Sequence, residues 1–211
     1  QAAVPLGLAR EAIELVPTAE PIIYRNFIEG AGPRAIAVGY PEKLNLAFDA
    51  NACALRLLWH GAFIDASKHW IGRGPGFQSP LGDHLLTLPA EAPVARLERA
   101  DSPWPAASPD SRPFRFRGYR LNSRRQPTFL YESDSLLIED TPVPVAAEPD
   151  ASLERRLTVH PMKPSGRIHY RAAAGKTIEA ADDGWFVVDG ALRVRLQAPA
   201  ADKPFVRKAG E

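Results

Sequence analysis

Apolar and polar positions alternate with a period of two along much of the chain, which is the pattern of strands with one buried face. The alternation is clearest in Leu44–Phe48 and in Phe114–Leu121, where apolar and basic residues alternate. Turn residues such as Asp49–Ala52 and Asp189–Gly190 separate the apolar runs at short, regular spacing. The pattern predicts an all-β protein, an antiparallel β-sandwich with roughly eleven short strands and little helix.

The predicted strands share short length and flanking glycine, proline or other turn residues. They are Ile22–Phe27, Arg34–Val38, Leu44–Phe48, Cys53–Trp59, Phe114–Leu121, Thr128–Glu132, Leu136–Asp140, Leu153–His160, Arg167–Ala172, Phe186–Val188 and Leu192–Gln197. Strict alternation places Leu55, Leu57 and Trp59 on one face of their strand.

Residues 1–21 differ from the rest and predict an N-terminal arm, with a short helix at Leu8–Leu15 ahead of Pro17. Residues 22–211 are expected to form a single β-sandwich domain. Within it, the Pro-rich segment near 98–113 predicts a surface loop.

Composition agrees with a globular protein, since 45% of the 211 residues are hydrophobic. The net charge is +1 with both signs mixed along the chain, which argues against nucleic acid as a partner. Cys53 is the only cysteine, so no intrachain disulfide is expected. No apolar run approaches the ~20 residues of a membrane-spanning helix, so no transmembrane span is expected. Gln1–Ala3 is typical of a chain end left by signal-peptide cleavage, which predicts export.

Two groups of motifs form a specific combination in the first two thirds of the chain. They are Arg25–Phe27 (RNF), Ala31–Gly39 (AGPRAIAVG), Phe48–Ala50 (FDA), Trp59–Asp65 (WHGAFID) and Trp70–Gly74 (WIGRG), followed by Phe116–Tyr119 (FRGY) and Pro127–Tyr131 (PTFLY). In this combination residues 22–142 resemble a bacterial domain of exported proteins that also carry c-type cytochrome domains or propeller-type sugar dehydrogenase domains. The resemblance implies export and an electron-transfer neighbourhood, but no particular activity.

The chain departs from that setting because it has no Cys-x-x-Cys-His motif and therefore cannot attach a c-type haem covalently. A role in electron transfer would then be that of a scaffold or docking subunit, and no cofactor is expected.

A mixture of indole, imidazole, carboxylate and guanidinium groups near a glycine-rich loop marks the strongest candidate for a binding or interface site. Its residues are Trp59, His60, Asp65, His69, Trp70 and Arg73. The alternative is that the tryptophans are core residues and that Asp65 caps a helical turn. Arg115 and Arg117, expected on one strand face with Arg120 on the other, are a second candidate surface for an acidic partner. The alternative there is an ordinary solvated sheet face.

Catalytic and metal chemistry find little support in the sequence. Asp65 and His69 have the spacing of a carboxylate–imidazole pair, but no nucleophile accompanies them. Cys53 and His60 would lie over ~20 Å apart on an extended strand, so Cys53 is interpreted as a small core residue. The five histidines show no ligand spacing, so no metal site is expected.

Two functions from different classes follow from these patterns. The favoured one is a non-catalytic exported accessory subunit that binds other proteins and stabilises a membrane-associated, cytochrome-containing electron-transfer assembly, respiratory or photosynthetic. Its location would be periplasmic or extracellular. The alternative is a carbohydrate-binding or carbohydrate-processing domain, which requires Trp59 and Trp70 as exposed stacking platforms.

Overall fold

A computed structural model of the chain describes residues 12–67, 76–106, 112–163, 167–199 and 204–207. Regular structure in these residues is almost entirely β, apart from a single-turn 3-10 helix at Asp182–Gly184. The strand pairs that build the sheets are antiparallel. The predicted all-β, antiparallel class is therefore confirmed.

Sixteen strands lie within the described residues. They are β1 (Glu14–Leu15), β2 (Ile22–Ile28), β3 (Gly32–Gly39), β4 (Leu44–Asp49), β5 (Ala54–His60), β6 (Ile64–Asp65), β7 (Asp83–Thr87), β8 (Val94–Arg96), β9 (Arg115–Leu121), β10 (Pro127–Glu132), β11 (Leu136–Val145), β12 (Ser152–Pro161), β13 (Ile168–Tyr170), β14 (Ile178–Ala180), β15 (Trp185–Val188) and β16 (Leu192–Arg195).

Two larger sheets enclose the main core. One has five strands in the order β2-β3-β4-β5-β7, and the other has four in the order β12-β11-β10-β9. Phe48 of the first sheet stacks on Phe129 of the second with ring centroids 4.2 Å apart, and Tyr131 packs beside them. Sheets that share a continuous apolar layer in this way form a sandwich-like arrangement.

The five-stranded sheet is buried on its second face as well. Trp59, Phe63 and Ile64 pack there against small residues of β3 and β4, Ala37 and Ala47. The close approach of the Phe63 ring leaves no room for a side chain at Gly39, where an added Cβ would lie 2.7 Å from Phe63 Cγ.

A β-bulge in β5 places its side chains on other faces than those predicted. Phe48 pairs with Leu55 while Ala47 pairs with Leu57, so Arg56 is an extra residue in the strand. Leu55 therefore packs in the main core, and Leu57 and Trp59 pack on the opposite face. The prediction that all three share one face was wrong, because the bulge inverts the alternation.

The N-terminal arm also differs from its prediction over the residues described. Glu14 and Leu15 form a strand that pairs with Asp65 and Ile64, where a helix over Leu8–Leu15 was expected. Leu15 packs against the core of the second face, and this burial stabilises the extended conformation. The segment before Ala12 lies outside the described residues.

Strand β11 is longer than the sequence predicts and continues through Pro142 and Pro144. Its pairing with β10 ends at Asp140, whereas its pairing with β12 continues to Val145. Proline is tolerated there because that stretch is an edge on one side, where no ladder bond needs its missing N–H.

Candidate functional site

Trp59 is a core residue, with 1% of its surface exposed. Its ring lies parallel to that of Phe63 with centroids 6.0 Å apart, and its indole N–H donates to the carbonyl oxygens of Ala62 and Phe63, each at 3.1 Å. Trp59 therefore agrees with the interpretation of this tryptophan as a core residue and lacks the exposure that the carbohydrate alternative requires, because the second face of the sheet, where the ring lies, is itself covered.

The Asp65 side chain forms hydrogen bonds with neighbouring backbone segments. Its carboxylate accepts hydrogen bonds from the backbone N–H and the hydroxyl of Ser67, at 2.8 and 2.9 Å, and from the backbone N–H of Ile13 at 3.0 Å. These bonds tie the N-terminal arm to β6. Three further members of the predicted cluster lie outside the described residues, namely His69, Trp70 and Arg73.

Arg115 and Arg117 are exposed on the outer face of β9, and both pair with Glu132. The Arg115 guanidinium lies 2.5 Å from one carboxylate oxygen and that of Arg117 lies 3.5 Å from the other. The hydrogen bond from Arg115 lowers the pKa of Glu132. Pairing with an acidic neighbour leaves less positive charge for a partner on this face.

Arg120 lies on the same outer face, contrary to its predicted position. Phe116 pairs with Tyr131 and Gly118 with Leu130, so Arg117 is the extra residue of a β-bulge. Beyond the bulge Arg120 faces outward and forms an ion pair with Glu139.

A different surface carries exposed arginines that take part in none of the ion pairs among the described residues. Arg25 in β2 and Arg34 in β3 are exposed and line a depression of about 260 Å³. Phe27 lines the same depression, is 52% exposed and meets Phe77 edge to face with ring centroids 6.2 Å apart. The remaining lining residues are Asn26, Pro33, Ala35 and Ala50.

A third guanidinium joins this surface through Asn51. The amide oxygen of Asn51 accepts hydrogen bonds from Arg34 at 3.3 Å and from Arg112 at 3.4 Å. Within the described residues no ion pair involves Arg25, Arg34 or Arg112. One carboxylate is close, that of Asp49, which accepts the backbone N–H of Asn51 at 2.7 Å. The arginine–phenylalanine surface, defined as Arg25, Phe27, Arg34, Phe77 and Arg112, therefore has an excess of positive charge.

Sequence reasoning missed this surface, although its signals are present. Arg25 and Phe27 belong to the RNF motif, and Arg34 belongs to the AGPRAIAVG motif. The two motifs lie on neighbouring strands, and the β2–β3 pairing brings them together.

The remaining described tryptophans already have partners. The Trp104 indole N–H donates to the Ala92 carbonyl at 3.2 Å, and the Arg171 guanidinium lies 4.7 Å from its ring centroid. Trp185 has the guanidinium groups of Arg193 and Arg195 within 5.2 and 5.0 Å of its ring centroid. Trp104 borders a groove of about 970 Å³, but a cation already occupies a face of its ring.

A buried ion pair joins β11 to β12 inside the sandwich. The Arg155 Nε donates to Asp140 at 2.9 Å, and the hydroxyl of Tyr131 donates to the same carboxylate at 3.2 Å. Asp140 is 1% exposed, and these donors satisfy its buried oxygens. The pairing is structural, because it lies within the core.

His60 ends β5, and its Nε2 lies 2.9 Å from the carbonyl oxygen of Ala151. One ligand atom each from His60, His84 and Asp150 lie within 4.8 Å of one another. The sequence separates these residues widely, but β5 pairs with β7 so that His60 lies opposite Asp83. Cys53 lies at the other end of β5, buried in the main core, so the structure agrees with its interpretation as a small core residue.

Comparisons of the chain with protein-family models, with curated proteins and with solved structures gave no significant match. The fold and the surface define an all-β, sandwich-like protein with a cationic, aromatic patch at one end of its five-stranded sheet. Among the described residues, no helix is long and apolar enough to cross a membrane.

Proposed function

We propose that this protein is a non-catalytic, exported accessory subunit that binds an acidic partner protein through its arginine–phenylalanine surface. The partner belongs to a membrane-associated, cytochrome-containing electron-transfer assembly, which the subunit stabilises. The observation that carries the proposal is the group of exposed arginines near Phe27 that form no ion pair within the part of the chain that the structure describes.

The composition of the surface supports a binding role. Arginine and aromatic residues are the side chains that most often anchor protein–protein interfaces. Phe27 and Phe77 offer exposed apolar area, Arg25 and Arg34 line the depression together with Phe27, and Arg112 is linked to Arg34 through Asn51. A partner with an acidic patch around an apolar spot would complement this arrangement.

The electron-transfer setting of the proposal comes from the resemblance of residues 22–142 to exported domains that accompany cytochromes. Two of the motifs that carry the resemblance, RNF and AGPRAIAVG, provide three residues of the surface: Arg25, Phe27 and Arg34. The motifs and the exposed cations therefore coincide in space.

The carbohydrate-binding alternative lacks a supporting observation. It requires exposed tryptophans, but Trp59 is buried and Trp104 and Trp185 each have a guanidinium over the ring. Trp70 lies outside the described residues, so the alternative has no described platform.

Gentle purification of the native protein from its source membranes tests the proposal, with mass spectrometry and a visible spectrum of the purified material. The complex should contain a c-type cytochrome subunit with its haem absorption. It should dissociate as salt is raised, because exposed charge pairs are screened.

Two double variants then locate the contact. Arg25→Gln with Arg34→Gln should weaken partner binding by about tenfold or more, since each contact at an interface hot spot contributes 1 kcal/mol or more. Arg115→Gln with Arg117→Gln removes the same charge from the neutralised face of β9 and should leave binding nearly unchanged. A colourless protein that purifies alone would contradict the function, and equal losses in both variants would contradict the assigned surface.

A further inference from the structure

Three potential metal ligands from distant parts of the chain meet at one end of the five-stranded sheet. His60 is the last residue of β5, His84 lies in β7, and Asp150 precedes β12. One ligand atom of each lies within 4.8 Å of those of the other two. His84 and Asp150 are exposed, whereas His60 is half-buried, so the group is open to solvent on one side.

The hydrogen bonding of His60 leaves one ring nitrogen available. Its Nε2 lies 2.9 Å from the Ala151 carbonyl oxygen, which can only accept, so Nε2 carries the proton and Nδ1 carries the lone pair. Nδ1 is buried and has no hydrogen-bond partner in the structure. A buried acceptor without a partner costs free energy, which a bound cation would recover.

Metal-binding histidines usually have one ring nitrogen held by a hydrogen bond, which leaves the other nitrogen as the ligand. A ligating imidazole donates its other N–H to a carbonyl or carboxylate oxygen, which fixes the tautomer and the ring orientation. The Ala151 carbonyl supplies such an acceptor to His60, next to the Asp150 carboxylate in sequence.

We propose that His60, His84 and Asp150 bind a divalent first-row transition-metal cation of the Zn²⁺ type. Two imidazoles and one carboxylate suit such an ion, whereas Mg²⁺ and Ca²⁺ prefer oxygen ligands. Tetrahedral coordination with bonds of about 2.0–2.1 Å needs donors roughly 3.3 Å apart. The donor atoms reach this separation from the observed 4.8 Å or less when the exposed side chains of His84 and Asp150 change rotamer. A water molecule occupies the fourth coordination position.

The ion would join separate parts of the fold. His60 and His84 belong to neighbouring strands of the five-stranded sheet, and Asp150 belongs to the connection between β11 and β12 in the four-stranded sheet. A bound cation therefore stabilises the contact between the two sheets at this end. His60 pairs with Leu44, at the end of β4 opposite to Asp49 and the arginine–phenylalanine surface. Metal binding is thus a property separate from the proposed partner docking.

Untagged full-length protein freed of metal with a chelator tests the proposal, by calorimetric titration with Zn²⁺ and with Mg²⁺. We expect one Zn²⁺ per chain, no measurable Mg²⁺ binding, and a Tm that rises with free Zn²⁺. His84→Ala and Asp150→Asn change exposed side chains, so both variants should fold. Each should weaken Zn²⁺ binding by about tenfold or more, which is the scale for losing even a supporting group of a metal site.

His160→Ala is the matched control. His160 is also an exposed histidine beside a carboxylate, with Nε2 3.6 Å from Glu139, but it is not one of the three ligands. Its replacement should leave Zn²⁺ affinity and the Tm increase unchanged. The proposal is overturned if Zn²⁺ does not bind, if His84→Ala and Asp150→Asn bind it as tightly as the unmodified protein, or if His160→Ala weakens binding as much as they do.

Discussion

The structural role of Cys53 follows from its surroundings. It has left-handed backbone, with φ of 52°, at the end of the β4–β5 turn and is fully buried in the main core. Burial, together with the nearby Asp49 carboxylate, raises the pKa of its thiol to about 12. A thiol in that state is neither a nucleophile nor a metal ligand at physiological pH.

The raised pKa predicts a pH dependence of stability that belongs to this residue. The folded chain holds the thiol proton up to about pH 12, whereas the unfolded chain releases it near the ordinary thiol pKa of 9.0. The stabilising contribution is therefore complete below pH 9 and is lost as pH rises from 9 to 12. At pH 10 this thiol alone should make the free energy of unfolding about 1.4 kcal/mol lower than it is well below pH 9.

Denaturant unfolding at pH 8 and pH 10 measures this effect, with Cys53→Ala as the comparison. The variant should lose less stability between the two pH values than the unmodified protein does. Buried tyrosines such as Tyr131, whose pKa burial also raises, contribute equally to both proteins and cancel in the difference. Identical losses would contradict the assignment to Cys53.

At the scale of elements, hydrophobic periodicity predicted most of the strands. Leu44–Phe48 and Leu136–Asp140 both became strands with the expected bounds or longer. The two errors in side-chain facing occur where one inserted residue changes the phase of the alternation. The bulges at Arg56 and Arg117 moved Leu55 and Arg120 to the opposite faces. The isolated Gly118, with φ of 125°, is a sequence signal of the second bulge, whereas Leu55–Leu57 contains no such residue at the first.

Close packing of β3 against the segment after β5 gives a second prediction. A methyl group at Gly39 would lie 2.7 Å from Phe63 Cγ, so Gly39→Ala should destabilise the protein by about 1–3 kcal/mol through overpacking. Chemical denaturation with a constant m value would measure the loss.

Phe63→Ala provides the control by double-mutant cycle. It should destabilise on its own, because the ring is fully buried against Trp59. In its presence Gly39→Ala should cost less, with a coupling of about 0.5–3 kcal/mol, because the Cγ and Cδ atoms that a methyl group at Gly39 would meet are gone. Additive losses would show that the two positions do not share the contact.

At the scale of the whole molecule, the candidate sites depend on strand pairing, and this is why the sequence predicted them poorly. The arginine–phenylalanine surface joins Arg25 to Arg112, and the proposed metal site joins His60 to Asp150. These residues are 87 and 90 positions apart in the sequence. Residue type and local spacing could place each on a strand or a loop, but only the order of strands in the sheets shows which ones meet.

Stability should also vary across the molecule. The sheet of β14, β15 and β16 pairs within itself, and Val188 is its one buried residue, whereas β4 is buried along nearly its whole length. Local openings need less free energy where fewer apolar contacts must be broken. Amide hydrogen exchange should therefore be faster by about tenfold or more in β15 than in β4. A tenfold ratio corresponds to a difference of about 1.4 kcal/mol in the free energy of local opening.

Val188→Ala sharpens the prediction that the small sheet opens separately. Loss of the buried methyl groups should speed exchange in β14–β16 and leave the amides of β4 and β10 unchanged, because those strands belong to the main core. Exchange measured by mass spectrometry at peptide resolution distinguishes the two regions. Equal acceleration in both would show that the small sheet and the sandwich open together as one cooperative unit, which would contradict the separate opening.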